Sequence, residues 1–172
     1  REFSSWTPEN EVKWGWVQGE SSEAWDFGDA DIITGAAYPA QLTMKGHALL
    51  WHSSIPDWVG ASPSASELQG WIDANTLETM VHFQSVAPDW DVVNEALEDN
   101  GGVGAFGLRE SLFHQVLGEG YIADAFHQAR AADPDARLFY NDYSLIYGGS
   151  KTERALALLS QLVDDGVPVG GV

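Results

Sequence analysis

Glu95 closes the apolar run Asp91-Val92-Val93-Asn94-Glu95-Ala96. The end of a strand holds a carboxyl rigidly and half buries it, and burial favours the protonated form of an acid. Cleavage of a glycosidic bond needs such a proton donor near neutral pH, together with a second carboxyl that stays ionised. Glu95 therefore reads either as a proton donor or as a structural acid that caps the next loop or pairs with an arginine. Asn94, its neighbour, offers an amide to a sugar hydroxyl if the strand end bends, or is simply a turn residue. His47 and His52 flank Trp51 in Gly46-His47-Ala48-Leu49-Leu50-Trp51-His52. Two histidines and a distant glutamate could hold zinc, but helical H-x-x-x-H spacing is absent and no second carboxylate accompanies them. No metal is expected, and hydrogen-bonding or core histidines are. Glu9, Asn10, Glu11, Lys13 and Trp14 concentrate donors, acceptors and a ring near the start of the chain. They form either a polar ligand edge or a solvated charged turn. Serine-triad chemistry has no support, because no G-x-S-x-G elbow occurs.

The elements that must position these groups alternate. Short apolar runs near 3–6, 42–46, 90–93, 137–140 and 168–172 read as strands, with helical stretches between them. Ser64-Ala65-Ser66-Glu67 fits a capping box, in which a hydroxyl takes an orphan N–H while the glutamate reaches back, so a helix is expected from there to about Ser85. Tyr121, Ile122, Ala125, Phe126 and Ala129 recur at helical spacing until Asp133-Pro134 ends the ladder. Ser150-Lys151-Thr152-Glu153 predicts a second capping box, and Gly166 the end of its helix. A shorter helix is expected near 29–37, ending at Pro39. Parallel strands joined by helices give an open doubly wound sheet or a (β/α)₈ barrel, and periodicity does not choose between them. No phosphate-binding glycine turn follows a strand, and Gly101-Gly102-Val103-Gly104 reads as a flexible loop. Polar and aromatic residues gather just after each strand: 7–14, 47–52, Asn94-Glu95 and Asn141-Asp142-Tyr143. In a barrel these are the strand mouths, where catalytic groups collect.

Composition narrows the function classes. The 172 residues suit one domain, and 44% hydrophobic content supports a core. Eight Lys and Arg against 26 Asp and Glu give a formal charge of −18, which would repel nucleic acid and an anionic membrane alike. No apolar run approaches the roughly 20 residues that span a bilayer. The absence of cysteine removes disulfides, thiolate metal sites and a thiol nucleophile. Eight Trp and five Tyr exceed what core packing alone suggests, and rings with apolar faces and polar edges suit sugar surfaces, so some are expected to line a cleft. The start at Arg1-Glu2-Phe3, without an initiator methionine, and the stop at 169–172 inside an expected strand suggest a piece of a longer chain.

Four motifs in order, Thr7-Pro8-Glu9-Asn10-Glu11-Val12-Lys13-Trp14, Lys45-Gly46-His47-Ala48-Leu49-Leu50-Trp51-His52, Trp90-Asp91-Val92-Val93-Asn94-Glu95-Ala96 and Tyr140-Asn141-Asp142-Tyr143, resemble glycoside hydrolase family 10, the endo-β-1,4-xylanases. Leu108-Arg109-Glu110-Ser111-Leu112-Phe113 and Val116-Leu117-Gly118-Glu119 also resemble that family's segment between strands 4 and 5, so the likeness covers nearly the whole chain. The resemblance implies an α/β fold, the (β/α)₈ TIM barrel, of which about five βα units are present. The first strand and the region from strand 6 onward would be lacking, and residues 1–172 would be a partial catalytic domain. It implies endo-acting hydrolysis of xylan and xylo-oligosaccharides with retention, no cofactor, and a secreted protein whose signal peptide is not in this chain. Glu95 matches the general acid/base. Glu9, Asn10 and Lys13 match glycone-side sugar contacts, His47, Trp51 and Asn94 match residues around the sugar at the cleavage point, and Tyr143 matches the aglycone side. The nucleophilic glutamate would lie outside these residues. Tyr38-Pro39-Ala40-Gln41 and 85–89 depart from the family pattern. The competing reading is a sugar-binding barrel that keeps a Trp-lined cleft without catalysis; oligomeric state is not legible. About five strands would leave two open sheet edges, so this polypeptide alone is expected to lack xylanase activity and to be marginally stable or aggregation-prone.

Overall fold

A strand buried on both faces belongs in a parallel sheet covered by helices; 90–94 is such a run and lies within a set of four strands that pair side by side. The computed structural model describes residues 3–172. Its strands are β1 (Ser5–Trp6), β2 (Thr43–Trp51), β3 (Asp89–Asn94) and β4 (Arg137–Asn141), all parallel and in the order β1-β2-β3-β4. Helices α1 (Trp14–Val17), α2 (Gly28–Ala37), α3 (Ala65–Phe83), α4 (Leu112–Leu117), α5 (Tyr121–Ala132) and α6 (Ser150–Asp164) occupy the connections. Sequential strands that neighbour each other through helical crossovers are the construction of a (β/α)₈ barrel, and the chain forms about half of one.

The expected elements are largely present, with corrections. The fifth strand is reduced to one parallel bridge between Phe139 and Gly171, with Gly170 N–H donating to Leu138 and Tyr140 N–H donating to Gly171. β2 runs on to Trp51, so 47–51 belong to the strand itself and not to the loop after it. The capping box at Ser64 and Glu67 forms as expected. The one expected at Ser150 does not. Gly148 and Gly149 both take positive φ, which brings the chain in so that Gly149 is the N-cap and Ser150 already lies in the first turn. Gly166, at φ 76°, closes α6 with bonds from its own N–H to Val163 and from Val167 N–H to Leu162, a left-handed position that favours glycine. α2 passes into a 3-10 turn at Tyr38–Ala40, which accommodates Pro39. The glycine loop is cross-linked, not loose. Val103 and Leu108 exchange two 2.8 Å backbone bonds, and the Arg154 guanidinium donates to the carbonyls of Glu98, Asp99, Gly101 and Gly107.

The core gathers Trp14, Phe83, Trp90, Phe113, Phe126 and Tyr140 between sheet and helices. Gly46 is required in β2 because a Cβ there would enter the Trp90 ring. Trp14 and Trp90 are fully buried, and the partly buried Trp58, in the loop after β2, meets Trp71 of α3 edge to face against the core. α3 also buries Asn75, whose amide donates to the Leu49 carbonyl where the β2–β3 register shifts between His47 and Leu50. That bond satisfies a strand carbonyl the irregular ladder would otherwise strand.

Candidate active site

The site lies where β2, β3 and β4 end. Glu95 follows β3 directly with φ 55°, unusual for a side chain with a Cβ, and three partners hold it there. Its N–H donates to the Asn141 carbonyl (2.8 Å), its own carbonyl accepts from Arg109 Nε (3.2 Å), and its carboxylate Oε2 accepts from the Trp51 indole Nε1 (3.0 Å). Arg109 thus bonds the backbone of Glu95, and binds a carboxylate at Glu98 instead (3.1 Å). An indole N–H only donates, so when the Glu95 carboxyl is protonated the proton sits on Oε1, the oxygen not facing Trp51.

Around this carboxyl the strands set a polar shell. Asn94 is buried, and its Oδ1 accepts from Asn141 Nδ2 (2.8 Å), which assigns the amide NH₂ of Asn94 to an incoming acceptor. His47 Nδ1 lies 2.9 Å from Oδ2 of the buried Asp91. An ionised carboxylate only accepts, so Nδ1 carries the proton and Nε2 is left for a hydroxyl. The Lys45 ammonium approaches the other Asp91 oxygen at 2.8 Å as an ion pair, off the angle of a hydrogen bond, and covers the Phe139 ring. His52 is half-buried, with no partner at Nδ1 among the described residues; burial first, then the positive Arg109, hold its pKa below the usual 6.5.

A cleft of about 290 Å³ opens beside Trp51, lined by Asn10, Lys13, Trp16, Trp51, Ser53 and Ser54 among others. Lys13 is buried, donates to Asn10 Oδ1 (3.0 Å) and stands 4.4 Å from the centre of the Trp51 ring. Burial pushes its pKa down against the pull of Glu9, Glu11 and Glu95. Glu11 is tied to the backbone by the Asn10 N–H (3.0 Å), which holds its carboxyl below the ordinary value. Glu9 is exposed and stands outside the lining of this cleft, acting on Lys13 through its charge.

On the other flank, Tyr143 presents its ring to the Lys151 ammonium 3.4 Å away, and Lys151 is paired with Asp99 (2.9 Å) and Asp142 (2.8 Å). Asp142 also accepts from Tyr140 (2.6 Å) and from the Leu97 N–H (3.4 Å). Of the sequence-singled residues, Asn10, Lys13, Trp51 and Glu95 therefore form one chain of contacts, Asn94 adjoins Glu95 in sequence, and His47 is anchored separately on Asp91. Tyr143 stands with Lys151, outside the lining of the Lys13 cleft. Arg109, Asp91, Lys151 and Arg154 were not singled out by their own chemistry. For Arg109, Lys151 and Arg154 the available signal was the rarity of cations in so acidic a chain; Asp91 offered none. Among the described residues, no group of three or more His, Asp or Glu side chains is arranged to hold a metal.

A half-barrel with a tethered carboxyl at the strand mouths, flanked by an aromatic ring, amide and imidazole, suits acid-assisted chemistry on a polyhydroxylated ligand. The sequence model for glycosyl hydrolase family 10 matches residues 1–172. The chain belongs to that family. It is 37% identical to endo-1,4-beta-xylanase 1 of Gibberella zeae over 99% of its own length and 47% of that protein's. The solved xylanase 10B of Thermotoga petrophila, in complex with xylobiose, superposes with a TM-score of 0.90 at 34% identity, covering 98% of this chain and 50% of that one. A xylanase of Thermoanaerobacterium saccharolyticum described as intracellular is similar at 33% identity and a TM-score of 0.89, over 97% of this chain and 54% of that one. The chain spans about half the length of these relatives.

Proposed function

We propose that this chain is the acid/base-bearing part of an endo-1,4-β-xylanase, a partial catalytic domain over residues 1–172 acting with retention on xylan and xylo-oligosaccharides. Glu95 is the general acid/base, and the nucleophilic carboxylate, which such a mechanism needs roughly 5 Å away, comes from outside these residues. The observation that carries the reading is the 3.0 Å bond from Trp51 Nε1 to Glu95 Oε2. With Oε2 occupied by a donor, Oε1 delivers its proton to the departing glycosidic oxygen and later takes one from water. Asn94 donates its amide to the sugar 2-hydroxyl, a contact that strengthens as the ring nears the oxocarbenium state. His47 and Trp51 shape the sugar at the cleavage point, Glu9, Asn10 and Lys13 grip the glycone side, and Tyr143 faces the aglycone. No step calls for a cofactor. Because xylan is a large polymer, the reading carries with it action outside the cell.

In a barrel containing both carboxylates, Glu95→Gln keeps the shape of the side chain and removes its proton. Xylan hydrolysis should fall by at least about a hundredfold, while binding of xylo-oligosaccharides stays nearly unchanged. Undiminished hydrolysis would defeat the assignment. A wild-type protein that binds xylo-oligosaccharides and never cleaves them would favour the sugar-binding barrel instead.

A further inference from the structure

We infer that Trp16 is a stacking platform for a more distal xylose unit of the ligand, extending the sugar-binding cleft outward from Lys13. The inference rests on the xylanase reading of the cleft and adds a residue to it. Short helix α1 buries Trp14 and Val17, which turns Trp16 to the opposite side, 50% exposed. The helix is pressed against the loop after β2 by the Gly15 N–H, which donates to the Ser54 carbonyl at 2.9 Å. A side chain at Gly15 would crowd Ser54, with contacts of 3.1 to 3.3 Å, so glycine is what lets Trp16 and the Ser53-Ser54 hydroxyls share one cavity wall.

The indole is oriented as well as exposed. Its Nε1 donates to Asp29 Oδ2 at 3.3 Å, at the start of α2, so the ring edge is fixed while ring surface remains open. The cleft then reads in order: Glu95 bonded to Trp51, Lys13 over the Trp51 ring, Asn10 holding Lys13, and Trp16 on the same wall. A row of one acid, one ring, a cation with an amide, and a second ring flanked by hydroxyls alternates apolar faces with hydrogen-bonding groups. That alternation matches the apolar ring faces and equatorial hydroxyls of a neutral β-1,4-linked pentose chain. At −18 the protein has no comparable attraction for a polyanion.

The test is calorimetric titration with xylobiose and xylopentaose, in the protein that carries this chain and in a Glu95→Gln background so that the oligosaccharide survives. Trp16→Ala should weaken xylopentaose roughly fivefold while xylobiose changes by less than about twofold. Trp16→Phe should recover most of the loss, and an unchanged melting temperature should accompany both variants. An equal effect on the two ligands, or none on either while Trp51→Ala still weakens xylobiose, overturns the platform and leaves the xylanase reading standing. Failure of the parent protein to bind either oligosaccharide removes that reading, and the platform with it.

Discussion

Two buried lysines flank the Glu95 loop, and each lays its ammonium against an aromatic ring: Lys13 on Trp51 at 4.4 Å and Lys151 on Tyr143 at 3.4 Å. Their partners differ. Lys151 is bonded to two carboxylates, Asp99 and Asp142, and although burial works against its charge those bonds more than offset it and raise its pKa. Among the described residues the Lys13 ammonium is hydrogen-bonded to the neutral oxygen of Asn10 and to no carboxylate, and burial outweighs the pull of Glu9, Glu11 and Glu95 and lowers its pKa. The same pairing of ammonium and ring is thus structural where carboxylates saturate the cation and ligand-ready where they do not. A saturated buried cation ties elements together; an under-satisfied one holds donor capacity for a hydroxyl that arrives later.

The contrast sets the largest expected effect. Lys151→Met leaves Asp142 buried without its cation, and the carboxylate also anchors Tyr140 and Leu97. Stability should fall by about 3 kcal/mol, read as a lower urea midpoint. Lys13→Met removes a cation that folding does not favour, so stability should move by less than about 1 kcal/mol, while KM for xylo-oligosaccharides rises roughly tenfold. If the two substitutions cost the same stability, the division into structural and ligand-ready lysines fails. If Lys13→Met leaves KM alone, the glycone side of the cleft is misassigned.

The smallest effect is a pH dependence. His52 has its pKa depressed by burial and by Arg109, so the unfolded chain binds the proton more readily than the folded one. Stability from its neutral form is present above about 6.5 and is lost as pH falls from there toward the folded value. His52→Gln should flatten this limb of the stability profile between pH 7 and 5, measured by denaturant midpoints. An unchanged slope would place the dependence elsewhere.

The legible and illegible parts divide along physical lines. Glu95, Lys13 and Trp51 became legible through four ordered motifs that resemble one family, since their spacing alone left structural alternatives open, and α3 and α5 because caps and apolar periodicity are local signals. The extension of β2 through 47–51 was hidden because His47 looks like a loop residue until the buried Asp91 is placed 2.9 Å from it, forty-four positions along the chain. Asn75 was invisible for the same reason, since its partner is a backbone carbonyl of a strand. The missed cap at Ser150 traces to Gly148 and Gly149, whose positive φ no side-chain pattern announces. Which tryptophans line a cleft was not legible, because indoles fill a core as readily as a binding surface: Trp14 and Trp90 are buried, while Trp51 and Trp16 line the cleft beside Lys13.

If Glu95 gives a proton to the leaving group, the leaving group itself is the probe. In Glu95→Gln, the rate of glycosyl-enzyme formation should be measured across aryl xylobiosides whose phenols range from strongly acidic to weakly acidic. Near-parental rates are expected for the most acidic phenols, which depart without help, and a deficit that grows steadily as the phenol becomes more basic. A uniform loss across the series, independent of the leaving group, would contradict proton donation by Glu95.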